Sequence, residues 1–103
     1  MDTEDVHPAD VMEPKFNGGG VEKFYEYIKQ EFDFSKVTKK GRLTASFTID
    51  EAGALTNIRI VNVLDDASAA EFIRVLQSAP KWESAKRGGK PFSVRIKIPL
   101  DFK

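Results

Sequence analysis

The sequence predicts an α+β fold: a two-layer sandwich in which two helices cover one face of a three-stranded antiparallel sheet, in the element order αββαβ. Three observations carry this. Two stretches, 21–32 and 69–79, repeat apolar residues at helical spacing, and three others, 43–49, 55–63 and 92–102, alternate or run β-branched as strands do. The connections between them are short and marked by glycine, proline or acids.

The chain has 103 residues, enough for one core and not for two. Sixteen basic and sixteen acidic side chains cancel, so no overall field draws nucleic acid or an anionic membrane. There is no cysteine and one histidine, His7, which removes thiolate nucleophiles, disulfides, zinc clusters and the commonest general base together. No apolar run approaches the ~20 residues that span a bilayer, so this segment has no predicted membrane contact of its own. The acidic start at Asp2, Glu4 and Asp5 is the reverse of a signal peptide's basic opening.

Residues 1–15 hold acids, Pro8, Pro14 and few apolar residues, and read as a flexible arm or linker before a domain spanning 16–103. Asn17-Gly18-Gly19-Gly20 marks a turn into the first helix, because three glycines are costly to order inside any element. In that helix Val21, Phe24, Ile28 and Phe32 form the apolar stripe, Tyr25 and Tyr27 flank it, and Glu22, Lys23, Glu26, Lys29 and Gln30 take the wet side.

Leu43, Ala45, Phe47 and Ile49 alternate with Arg42, Thr44, Ser46 and Thr48, the pattern of a half-buried strand. Asp50-Glu51-Ala52-Gly53 turns the chain into a second strand containing Ile58, Ile60, Val61 and Val63, so the pair reads as a hairpin. Asp65-Asp66 can cap the second helix, whose stripe is Ala69, Phe72, Ile73 and Leu76, and Pro80 ends it.

The last strand places Phe92, Val94, Ile96, Ile98, Leu100 and Phe102 on one side and Ser93, Arg95, Lys97, Pro99 and Asp101 on the other. Proline cannot donate to a ladder, which puts this strand at a sheet edge. Beside the second strand it would run parallel; on the free side of the first, the order is 2-1-3 and every pair is antiparallel. The antiparallel arrangement is commoner and suits a sheet wet on one face.

Each candidate site has a plain structural reading beside it. Ser93, Arg95 and Lys97 can read a partner or merely solvate an edge and deter aggregation. Trp82 is an exposed anchor or a lid on the core, and the lid is the commoner use. Arg87-Gly88-Gly89-Lys90 and Asn17-Gly18-Gly19-Gly20 can gather N–H groups around an anion, yet neither has a phosphate-loop signature. Asp50-Glu51 and Asp65-Asp66 sit in turns, where acids cap or solvate, and no nucleophile–base–orienter set can be assembled. The sequence therefore predicts no catalytic, cofactor-binding or metal-binding residue, and no cofactor.

Taken together, Glu13-Pro14-Lys15-Phe16-Asn17-Gly18-Gly19, Phe47-Thr48-Ile49-Asp50-Glu51-Ala52-Gly53, Asn57-Ile58-Arg59-Ile60-Val61, Ala79-Pro80-Lys81-Trp82, Gly88-Gly89-Lys90-Pro91 and Ile98-Pro99-Leu100-Asp101-Phe102 resemble, in order and spacing, the short form of the C-terminal domain of TonB-type energy transducers. The chain departs from that pattern at Phe32-Asp33-Phe34, where such domains carry a tyrosine–proline pair followed by alanine and glycine, and at Asn17, where proline is usual. The resemblance implies a non-enzymatic periplasmic module, tethered to the inner membrane through a segment absent from this chain. Its partner would be the N-terminal box peptide of a TonB-dependent outer-membrane receptor, bound by β-strand addition in energy-coupled transport. The implied site is the edge strand itself: Phe92, Ser93, Val94, Arg95, Ile96, Lys97, Ile98, Pro99 and Leu100. The competing reading is a structural or sensory interaction domain of the same fold on a membrane signalling protein, or a homodimer closed through that edge. An enzyme is the weakest reading.

Overall fold

The structure, a computed structural model, describes residues 11–103. It contains β1 (Val11–Met12), α1 (Val21–Glu31), a 3-10 turn (Phe34–Lys36), β2 (Gly41–Ile49), β3 (Leu55–Asn62), α2 (Asp66–Gln77), β4 (Ala85–Arg87), β5 (Lys90–Phe92) and β6 (Val94–Phe102). The main sheet has the order β3-β2-β6 and is antiparallel throughout, which is the 2-1-3 arrangement expected.

The fold departs from a single sheet in one respect. A second antiparallel sheet, β1-β4-β5, stands apart from the first, so the element order is not αββαβ. Its hairpin turns at Gly88 and Gly89, whose φ values of 57° and 81° are those of a two-residue turn matched to strand twist. Elements of two or three residues are too short to show alternation, which is why the sequence reading saw only the turn.

The same hairpin shortens the last strand. Phe92 belongs to β5 and pairs with Ala85, Ser93 lies between the strands, and β6 begins at Val94 opposite Ile49. Inward–outward alternation runs unbroken through Ser93, so the pattern carries no mark of the change of partner. Residues 1–10 of the expected arm, with His7 among them, lie outside the described residues. Residues 11–15 run along the second sheet, where Lys15 and Glu83 exchange two main-chain hydrogen bonds of 3.1 and 2.8 Å.

Both helices deliver apolar side chains to one core. Phe24 and Ile28 of α1 and Phe72, Val75 and Leu76 of α2 meet Leu43, Phe47, Ile49 and Ile98 of the sheet, all effectively out of water. Val21, which the helical stripe assigns to the core, is instead 43% exposed at the start of α1. Asp65 is the N-cap of α2, accepting from the Ser68 N–H at 2.8 Å and its hydroxyl at 2.6 Å, and these bonds hold its carboxyl below the usual range.

A polar clasp centred on a buried carboxylate joins the helices. The Glu71 carboxylate, on α2, accepts from the Asp33 N–H at 2.8 Å and from Arg74 at 2.7 and 2.9 Å, while Arg74 also donates to the Glu31 carbonyl at the end of α1. The rewritten link at Phe32-Asp33-Phe34 is thus anchored, at Asp33, by a side chain 38 positions away.

The two long edges of the main sheet differ. The pairing of β6 with β2 is unbroken over nine residues, whereas β3 pairs with β2 through two register shifts. Asn57, with a φ of 51°, lies in one shift and Val61 in the other, each leaving an extra residue on β3.

Candidate functional site

Among the described residues β6 has a single strand neighbour, β2. The main chain of β2 decides which β6 residues bond inward. Arg42 and Thr48 turn their carbonyls toward β3, where the Asn62 amide and the Thr56 hydroxyl donate to them at 2.9 and 3.4 Å. Successive residues of a strand direct these groups to opposite sides, so the odd-numbered residues of β2 face β6. There they pair with even-numbered residues: Leu43 with Leu100, Ala45 with Ile98, Phe47 with Ile96 and Ile49 with Val94.

The odd-numbered residues of β6, Arg95, Lys97, Pro99 and Asp101, therefore direct their main-chain groups away from the sheet. Pro99 costs the ladder nothing, because its missing N–H falls on the outer row. Its carbonyl accepts instead from the Tyr25 hydroxyl of α1 at 3.4 Å, and burial pushes that phenol up, keeping it a donor. The open stretch of edge thus runs along Arg95 and Lys97 and stops at Pro99.

Beside that stretch lies a groove of about 540 Å³, walled by residues 12–15 and 19–21, Trp82, Val94 and Ile96. It was not legible in the sequence, because its walls come from the arm, the glycine turn, the helix junction and the strand, none of which is adjacent in sequence to more than one other. Trp82 is 4% exposed and packs on Phe16, Phe24 and Phe47 at ring-centroid distances of 5.3, 5.0 and 6.4 Å, so it is the core lid. Its indole N–H is also the one buried side-chain polar atom without a hydrogen-bond partner among the described residues. Leaving such a donor unpaired costs about 1–3 kcal/mol.

The face of the sheet away from the helices is polar. Arg95 lies across β2, donating to Ser46 Oγ at 2.9 Å and Thr48 Oγ1 at 3.2 Å. Asp101 is paired with Arg42 at 2.7 Å, whereas Lys97 is exposed and takes part in no ion pair among the described residues.

The remaining candidates serve the fold. Asp50 accepts from the N–H groups of Ala52 and Ala54 at 2.9 Å each and shapes the hairpin turn. Gly20 caps α1 and its N–H donates to the helix's own Glu22 at 3.1 Å, so the glycine turn already has its anion. Asn17 and Gly18, at φ 54° and 80°, close a tight turn in which Phe16 and Gly19 exchange two bonds of 2.9 Å. Among the described residues no group of three or more His, Cys, Asp or Glu side chains gathers to hold a metal ion, and no helix is long and apolar enough to cross a membrane.

The geometry thus offers an open, straight sheet edge with an apolar groove alongside it. The chain belongs to the family described as Gram-negative bacterial TonB protein C-terminal, which matches residues 35–103, more than half of its length. The match begins just after the rewritten link and leaves α1 and the glycine turn outside it. Neither the curated proteins nor the solved structures gave a match.

Proposed function

We propose that this domain is a non-enzymatic, periplasmic docking module of an energy-transducing system. Through a segment outside this chain it is held at the inner membrane, and it binds the N-terminal box of a TonB-dependent outer-membrane receptor. The box adds as a strand on the outer side of β6. One observation carries the reading: by register parity, Arg95 and Lys97 offer complete donor–acceptor pairs to solvent along a strand that is otherwise regular. Main-chain pairing of this kind tolerates many peptide sequences and resists pull along its length, as a transducer requires. Phe92 and Ser93 fall before β6 begins, and Ile98 and Leu100 adjoin or lie beyond Pro99, where the outer row closes. The site is thereby narrowed to Val94, Arg95, Ile96, Lys97 and the boundary at Pro99.

Titrating ¹⁵N-labelled protein with a synthetic receptor-box peptide tests this directly. The amides of Arg95 and Lys97 move first; unmoved amides at millimolar peptide with an intact fold refute it. Sedimentation at varied concentration separates the homodimer reading, since a dimer closed through β6 occupies the same row of groups.

A further inference from the structure

We infer that the groove walled by Trp82, Val94 and Ile96 is the side-chain half of the docking site, and that it selects an extended segment alternating bulky apolar residues with acidic ones. The inference rests on strand addition at β6 and goes beyond it by naming the chemistry of the visitor.

In a strand added outside β6, residues opposite one another share a face of the sheet. Visitor residues opposite Val94 and Ile96 therefore project toward the helix layer, where those two side chains are also walls of the groove. Visitor residues opposite Arg95 and Lys97 project over the polar face. The nearest acid on β6, Asp101, is already held by Arg42, so the charge offered there is positive and an acid on the visitor complements it. On the groove side the rim carries Glu13 and Lys15, which cancel, and the walls are otherwise apolar apart from backbone, so recognition is by size and apolarity.

One further feature limits the occupant to a short extended peptide. The Tyr25–Pro99 contact closes the outer row beyond Lys97, which fixes the register. A one-residue slip would exchange the two faces, placing acids in the groove.

The test uses the full chain and three six-residue peptides: one alternating glutamate with isoleucine, one with the isoleucines replaced by serine, and one with the isoleucines kept and glutamates replaced by lysine. The readouts are the Arg95 and Lys97 amides for the edge, and the Trp82 indole with the Val94 and Ile96 methyls for the groove. The first peptide moves both sets, and the serine peptide binds about tenfold more weakly or worse, from the lost apolar burial. A Val94→Thr variant with unchanged melting narrows the gap between those two peptides, and the lysine peptide is the weakest on charge. Edge signals that move while groove signals stay still, or a serine peptide bound within twofold of the first, overturn the groove inference and leave strand addition standing. If neither set moves, strand addition has failed and the groove inference with it. Groove signals that shift with protein concentration alone assign the groove to a second copy and also overturn it.

Discussion

Replacing Glu71 by glutamine removes the anion at the centre of the clasp that ties α2 to the end of α1. Glu71 is 5% exposed, and Arg74 beside it, with help from the Asp33 N–H, holds its carboxyl at about 2 against an ordinary 4.5. At roughly 1.36 kcal/mol per pKa unit, that difference corresponds to ~3 kcal/mol, and because Arg74 is half exposed the expected contribution is about 2–3 kcal/mol. The folded-state value is depressed, so this stability is fully present above pH 4.5 and is lost as the pH falls toward 2; by linkage roughly 40% remains at pH 3. Urea unfolding of the native chain and the Glu71→Gln variant at pH 7, 4.5, 3 and 2 measures it. The native chain leads at neutral pH, and the lead closes across the acid range. The lowered carboxyls of Asp33, Asp65 and Asp101 titrate in both proteins and largely cancel in the difference. A gap that stays constant from pH 7 to pH 2 shows that Glu71 acts through packing rather than charge, and the argument fails.

Three other outcomes are expected. Gly53→Ala forces a Cβ into the Trp82 carbonyl at a residue with φ of 86°, so thermal unfolding reports a loss of roughly 2–5 kcal/mol. Phe72→Ala opens the centre of the core and costs about 3–5 kcal/mol in the same assay, with no change in which amides a box peptide perturbs. Lys97→Pro deletes an outward-facing N–H, repeating at 97 what the chain already tolerates at 99; stability changes by less than about 1 kcal/mol while calorimetry finds peptide binding lost. Retained binding in that variant places the visitor elsewhere.

Long-period patterns proved legible and short or convergent ones did not. The stripe Phe24, Ile28, Phe32 and the alternation Leu43, Ala45, Phe47, Ile49 each repeat often enough to fix an element and its buried side, and Pro99 placed β6 at an edge. Val21 obeyed the helical stripe yet stayed exposed, because at the first position of α1 it lines the groove rather than the core. The small sheet escaped because its strands span only two or three residues, too few to repeat an alternation, although Gly88-Gly89 between residues of extended character is a hairpin signal. Arg95 and Lys97 both stood out as candidates, yet nothing local announces that the Arg95 guanidinium lies across Ser46 and Thr48. The bond from Tyr25 to Pro99 spans 74 positions and has no local signature at all.

The buckles at Asn57 and Val61 carry a consequence for how molecules of this kind coexist when crowded. A domain with two straight borders could link copy to copy without end, each lending its far border to the next. Here one border is crimped by two surplus residues and the other is uniform, so lateral growth has a single starting point and nowhere to continue. Such a molecule is a poor building block for filaments.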